Sequence, residues 1–142
     1  MKKIILILIL IIGISAKDMK AQNGVPDTLA YLQSIEVNKA NYIGQPFSVL
    51  YNNLQIQVKY FSPFSAIHYD KNQETSTSFS FYFPQNGLDD FYLTYPKLEI
   101  YWQPYLSAIQ SESIWGNSGG QWNTSAYNFY KNAIIADIKV RE

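Results

Sequence analysis

The sequence predicts a two-layer α+β sandwich, in which one or two N-terminal helices pack on an antiparallel sheet of about four strands. Three observations support this prediction. Helical periodicity is concentrated early in the chain. Later segments alternate apolar and polar residues, with the period of a strand. Each of these strands has one apolar and one mixed face, which is typical of an antiparallel sheet covered on one side.

Residues 1–21 have the pattern of an export signal. Two lysines precede nine consecutive branched aliphatic residues at positions 4–12. At about 1.5 Å per residue this run is too short to cross a bilayer core of about 30 Å, so we expect no membrane anchor after cleavage. Cleavage after Ala16 and after Ala21 are both plausible, and Ala21 is preferred because residues 17–20 look like a junction. We therefore expect residues 22–142 to form a single exported domain, periplasmic or secreted.

Two helices are predicted at the start of this domain. Asp27 is a suitable N-cap for a first helix, which has apolar residues spaced by three. Pro46 suits the first turn of a second helix, because its missing N–H would be unpaired there anyway. The second helix carries an apolar stripe at Phe47, Leu50, Tyr51 and Leu54.

Alternation predicts four strands, at residues 56–60, 75–83, 97–103 and 133–141. Pro104 is expected to end the third strand. Tyr82 and Tyr101 are expected on the open face of the sheet. The apolar face of the last strand is expected to be Ile134, Ala136, Ile138 and Val140.

The segments between these elements are less regular. Residues 62–73 and 84–90 are expected to be connections, the second rich in turn-forming residues. A short helix is possible within residues 105–115. Residues 116–121 are expected to form a glycine-rich loop, which lacks the lysine of a phosphate-binding loop.

Charge and composition exclude several classes of protein. Residues 1–21 contain four of the 11 basic and one of the 11 acidic side chains, so residues 22–142 contain 7 basic and 10 acidic side chains. This negative balance argues against nucleic-acid binding. The absence of cysteine excludes a disulfide framework, a thiolate nucleophile and a lipid-bearing cysteine at the signal junction.

Catalytic and metal-binding patterns are weak. His68 and Asp70 could be combined with Ser62 or Ser65 into a triad, or with Glu74 into a metal site. Asp89–Asp90 could offer oxygen atoms to calcium. None of these sets has a diagnostic spacing. A solvent-exposed histidine in a polar loop explains His68 more simply, and turn chemistry explains Asp89–Asp90. We therefore expect no catalytic residue, no metal site and no cofactor, and we expect that the protein is not an enzyme.

Aromatic side chains are the candidates for a binding surface. The chain contains 12 Tyr, 8 Phe and 3 Trp. In a small domain without disulfides we expect most of them to form the core, and only secondarily a binding surface. Trp115 and Trp122, at the ends of the glycine-rich loop, could anchor that loop to the core or bind a ligand, and the anchoring role is preferred. The candidate ligand- or partner-binding residues are Tyr101, Trp102, Trp115 and Trp122.

The predicted order of two helices and four strands resembles the layout of β-lactamase-inhibitor-protein domains and of small outer-membrane assembly lipoproteins. Residues 44–50 resemble the glycine-initiated second helix of the latter, although this chain lacks their lipid-bearing cysteine. The resemblance concerns topology and transfers no functional residue. We expect an exported bacterial protein-interaction module whose partner is another envelope or extracellular protein. The alternative is a domain that binds carbohydrate or a small ligand through exposed Trp and Tyr.

Overall fold

The computed structural model describes Val25, residues 27–82 and residues 95–142, and within them it contains four α-helices and four strands. We number helices and strands separately in chain order. The elements are α1 (Thr28–Val37), α2 (Phe47–Asn53), β1 (Tyr60–Phe64), β2 (Gln73–Ser80), β3 (Lys97–Ser107), α3 (Ala108–Ser118), α4 (Thr124–Tyr130) and β4 (Ile135–Arg141), with a 3-10 turn at Lys39–Asn41.

The four strands form one antiparallel sheet in the order β1-β2-β3-β4, which confirms the predicted fold class. Phe61, Phe79 and Leu98 are neighbours across the sheet, and all three are buried on its inner face. The described helices cover this inner face, and within the described part of the chain no helix covers the other face. No described helix is long and apolar enough to cross a membrane.

Both N-terminal helices form where the sequence predicts them. The Asp27 carboxylate caps α1 by accepting a hydrogen bond from the Ala30 backbone N–H at 3.0 Å. Pro46 occupies the N-cap position of α2. The apolar stripe of α2 buries Phe47 and Leu50 against the core.

The first strand was predicted too early. It is Tyr60–Phe64, although Ile56 and Val58 just before it are buried. The alternating pattern therefore correctly indicates that Ile56 and Val58 are buried, but it does not show which residues pair with the neighbouring strand. The Phe61 N–H donates to the Gly120 carbonyl, on the edge of β1 that faces away from β2. The backbone nitrogen of Pro63 lies on this same edge, where proline is tolerated because it has no N–H that needs a partner.

The prediction that Pro104 ends the third strand is wrong. Tyr101 lies opposite Ser76 and Leu106 lies opposite Glu74, so β3 bulges between these pairs and continues to Ser107. Within a bulge, proline removes no regular ladder hydrogen bond.

The predicted apolar face of the last strand is also wrong in part. The register of β4 against β3 shifts between Tyr101 and Trp102. Because a shift of one residue exchanges the two faces of a strand, Ile135 and Ile138 are the residues that become fully buried. Ala136 and Val140 remain half-buried.

The region between β3 and β4 is more helical than predicted. α3 runs through Gly116 to Ser118, and Gly119 ends it in the left-handed conformation with φ 63°. α4 was not predicted at all, although its N-cap Asn123 accepts a hydrogen bond from the Ala126 N–H at 2.9 Å. Phe83 and the predicted turn at residues 84–90 lie outside the described residues.

Both edges of the sheet are partly covered. Residues 120–122 hydrogen-bond to Lys59, just before β1, and to Phe61 on the outer edge of β1. At the other edge, Gly44 and Gln45 bond to Ile135. Strand edges covered in this way are poor templates for pairing with another chain.

Candidate functional site

Among the described residues, part of the outer face of the sheet is exposed, whereas its end at Tyr60, Ser80 and Lys97 is buried. We define the open face by seven residues that share this side: Ser62, Phe64, Ser78, Glu99, Tyr101, Lys139 and Arg141. Ser62, Ser78, Glu99 and Lys139 form one row across the four strands. The small serines lie between Phe64 on β1 and the long side chains of β3 and β4. They form the floor of a concavity of about 390 Å³, which Ser62, Phe64, Ser78, Lys97, Glu99 and Arg141 line.

Hydrogen bonds order the charged side of the open face. The Glu99 carboxylate accepts from Arg141 Nε at 2.5 Å and from Ser76 Oγ at 3.2 Å. Arg141 Nη2 also donates to the Tyr101 hydroxyl at 3.2 Å. The Lys139 ammonium lies 4.9 Å from the centre of the Tyr101 ring, within the range of a cation–π contact.

Two side chains of the open face are well exposed. Phe64 is 58% exposed, and the Arg141 side chain is 56% exposed. A single exposed apolar residue is ordinary at a protein surface, and what distinguishes Phe64 is that it lines one concavity together with Glu99 and Arg141.

Of the four sequence-predicted binding residues, Tyr101 lies on the open face. Trp102 follows it on the opposite side of the sheet and is fully buried. The Trp102 N–H donates to the Thr77 hydroxyl at 2.8 Å, and its ring stacks on Tyr130 with the centroids 5.6 Å apart. Trp102 therefore has no ring face available for a ligand.

The other two tryptophans lie on the helical side of the molecule. Trp122 is half-buried, donates to the Tyr51 hydroxyl at 3.1 Å and packs edge-to-face on Phe61 and Phe79. Trp115 is also half-buried, and its indole covers Gly120. Both side chains connect the turn after α3 to the core, so the structure does not bring the four predicted residues together.

The contact between Trp115 and Gly120 leads to a stability prediction. A Cβ atom at Gly120 would lie 2.8 Å from Trp115 Nε1, and Gly120 has a φ of +81°. We expect Gly120→Ala to lower the free energy of unfolding by about 1–3 kcal/mol, because both the clash and the left-handed backbone penalise a side chain. Gly116→Ala is the matched control in the same segment.

Gly116 is helical, and a Cβ atom added there would meet nothing within 4 Å. Alanine at this position should therefore stabilise the protein by about 0.5–1 kcal/mol. Urea unfolding of both variants, followed by circular dichroism, tests the pair. Equal effects of the two substitutions would contradict the proposed anchoring of the turn by Trp115.

A second unusual feature lies in the interior. The Glu74 side chain on β2 is completely buried, and its Oε1 accepts hydrogen bonds from the Thr77 hydroxyl and, at 2.9 Å, from the Tyr130 hydroxyl. Its Oε2 has no hydrogen-bond partner among the described residues. Burial raises the pKa of Glu74 to about 7, and the nearby hydroxyls of Ser111, Thr77 and Tyr130 offset only part of this effect.

The negative charge of Glu74 also acts on its neighbour. Burial, together with that charge, raises the pKa of Tyr130 well above its ordinary value. Sequence reasoning considered Glu74 only as a possible metal ligand and missed its burial. The partner Tyr130 is 56 residues away in the chain, so no local signal could have revealed the pair. A carboxyl with no exposed surface cannot meet a substrate in this conformation.

The sequence-derived triad and metal sets do not assemble. His68 is exposed in a turn, and the Asp70 carboxylate accepts from the Asn72 N–H and the Gln73 side-chain amide. Ser65 donates to the backbone carbonyl of Asp70. Within the described part of the chain, no group of three or more His, Cys, Asp or Glu residues could hold a metal ion. Asp89–Asp90 lies outside the described residues.

Comparisons of this chain with protein-family models, with curated proteins and with solved structures found no match. A proposal about function therefore depends on the chemistry of the open face and of the interior.

Proposed function

We propose that this chain is an exported bacterial binding module, not an enzyme, and that its open face binds another protein of the cell envelope or the extracellular space. The observation that carries the proposal is the exposed Phe64 beside the ordered group formed by Glu99, Tyr101 and Arg141. Arginine and tyrosine are enriched among residues that contribute most to protein interfaces.

The order of this surface favours binding. Side chains already held by hydrogen bonds lose less conformational entropy when a partner arrives. Glu99 and Arg141 are fixed by each other, and Lys139 lies over the Tyr101 ring. Both edges of the sheet are partly covered by hydrogen-bonded segments. We therefore expect a partner to dock on the open face rather than to add a strand at an edge.

The alternative of carbohydrate binding has less support from the geometry. Stacking on a sugar requires an accessible aromatic ring face. Of the four aromatic residues predicted for such a site, Trp102 is buried, Trp115 and Trp122 pack on the molecule itself, and one face of Tyr101 has Lys139 over it.

The first described residues are compatible with removal of an export signal. Val25 is buried in the core, and Asp27 caps α1. Cleavage after Ala16 or after Ala21 would leave both residues in the mature protein. Export itself is part of the proposal.

Capture from the native host tests the proposed function. The whole chain is expressed there with a C-terminal tag, and proteins retained by wild type are compared with those retained by Phe64→Ser. We expect one stoichiometric partner for wild type and at least a tenfold loss for Phe64→Ser, because an apolar anchor is removed from the open face. The intact mass of the bait also shows whether residues 1–21 have been removed.

Ile109→Ser is the matched control for this experiment. Ile109 is 65% exposed on α3, beside a separate apolar groove on the helical layer. We expect this variant to retain the partner. Loss of the partner with Ile109→Ser but not with Phe64→Ser would place binding on the helical layer and overturn the proposal.

A further inference from the structure

We infer that the partner segment recognised by the open face is acidic and belongs to a polypeptide. This inference rests on the proposed function and specifies the chemistry of the partner. Three kinds of observation carry it: the distribution of charge, the donors that Arg141 offers, and the shape of the concavity.

The described residues on the open side of the sheet are positive on balance, although residues 22–142 together are negative. Of the 7 basic residues within 22–142, Lys139, Arg141 and the buried Lys97 lie on this side of β3 and β4. Among the described residues, the acidic ones on the same side are Glu99 and Asp137. The other described residues carry 4 basic and 6 acidic side chains. Such an asymmetry favours the approach of an anionic partner to this side of the sheet.

The acidic residues on this side are already occupied. Asp137 accepts from Lys39 Nζ at 2.5 Å and from the Ile138 N–H, so it faces the edge of the sheet. Glu99 is held by Arg141 and Ser76. The neighbouring Glu142 side chain extends to Gln33 on α1, at 3.5 Å, and does not cover the open face.

Arg141 retains capacity for a carboxylate ligand. Its hydrogen bonds to described residues use Nε and Nη2, which leaves the donors of Nη1 for a ligand. Its position is fixed by Glu99 and Tyr101, so a carboxylate would meet a guanidinium that is already oriented. Charge-assisted hydrogen bonds of this kind are about twice as strong as neutral ones.

The concavity favours a peptide over an anionic saccharide. Its floor consists of Ser62 and Ser78, whose hydroxyls can bond to a main chain, and its far wall is the exposed Phe64. An acidic peptide can place a carboxylate on Arg141 and an apolar side chain on Phe64. A uronic-acid chain offers the carboxylates and a ring face for Phe64, but it lacks the alternating N–H and C=O groups that a peptide main chain presents to the two serines.

Nuclear magnetic resonance can test this inference with defined probes. The whole chain is expressed, the folded product is labelled with ¹⁵N, and its amide spectrum is titrated with hexaglutamate, hexaglutamine and an oligogalacturonate. We expect hexaglutamate to shift the amides of the open face and its binding to weaken as salt is added. The double variant Lys139→Gln/Arg141→Gln should bind hexaglutamate at least tenfold more weakly.

Lys71→Gln/Lys131→Gln removes the same charge elsewhere and should bind as wild type does. No shift with hexaglutamate, or shifts that survive in the Lys139→Gln/Arg141→Gln variant, would overturn the inference. Shifts with the oligogalacturonate alone would replace the peptide with an anionic saccharide. If the Phe64-dependent partner is captured equally well by Lys139→Gln/Arg141→Gln, the open face is a binding site but its partner segment is not acidic.

Discussion

Trp102→Ala is expected to lower the free energy of unfolding by about 3–5 kcal/mol, the range for removal of a large buried aromatic side chain. Trp102 is 1% exposed and contacts three rings among the described residues, with centroid distances of 5.8 Å to Phe47, 6.4 Å to Phe79 and 5.6 Å to Tyr130. Its loss would leave a cavity between the sheet and the helices. It would also remove the N–H donor to Thr77.

A loss of this size is comparable with the whole stability of a small domain, about 5–15 kcal/mol, so two milder variants accompany it. Trp102→Phe keeps an aromatic ring but removes the N–H, and it should cost less than Trp102→Ala. Trp115→Ala, at a half-buried position, should also cost less. Urea unfolding followed by circular dichroism measures all three. A cost below about 1 kcal/mol for Trp102→Ala would contradict the central packing role of this side chain.

The contrast among the tryptophans also explains which parts of the site could be predicted. Alternation places Tyr101 and Trp102 on opposite faces of β3, as the structure shows. Sequence alone could not tell which tryptophans pack inward in the irregular region after β3. That depends on α4, which was missed because its pattern over seven residues is short, and on the turn that Trp115 covers.

The predicted elements succeeded where local signals and tertiary contacts agree. α1 and α2 have a cap or an initiating proline together with an apolar stripe, and both form. β1 and β4 were misplaced or misoriented because pairing is decided across strands. The bulge near Pro104 changes the register of neighbouring residues, and no feature within β4 reveals that shift.

The open face could be predicted only in outline. Alternation indicates that one side of the sheet is polar. The juxtaposition of Glu99 and Arg141, 42 positions apart in the chain, requires the register of β3 with β4. The sequence predicts that Phe64 lies in a connection. In the structure it is the last residue of β1 and forms the exposed wall of the concavity.

Stability is expected to fall as the pH rises from about 4.5 to about 7, because Glu74 retains its proton longer in the folded state. The ordinary pKa of 4.5 applies to the unfolded chain, and burial raises the folded value to about 7. Below both values Glu74 is protonated in both states. Between them the unfolded state releases the proton first, so unfolding becomes more favourable by about 3 kcal/mol in total. Above the folded value the contribution no longer changes.

Glu74→Gln should remove this pH dependence. The amide keeps an oxygen that can accept from Thr77 and Tyr130, as Oε1 does now, and it cannot ionise. We therefore expect the variant to be more stable than wild type at pH 8. At pH 4.5 the difference in stability should be smaller or absent. Urea unfolding, measured by tryptophan fluorescence at several pH values, gives the difference between the two proteins and cancels the contribution of all other titrating groups.

Glu112→Gln is the matched control, because it removes an exposed carboxylate from α3 on the same layer as Ser111. It should retain the fall in stability that wild type shows. If Glu74→Gln keeps that fall as well, another group causes it and the buried carboxyl is not the titrating residue. If the fall disappears with Glu74→Gln alone, an unpaired carboxylate oxygen in the core destabilises the ionised form.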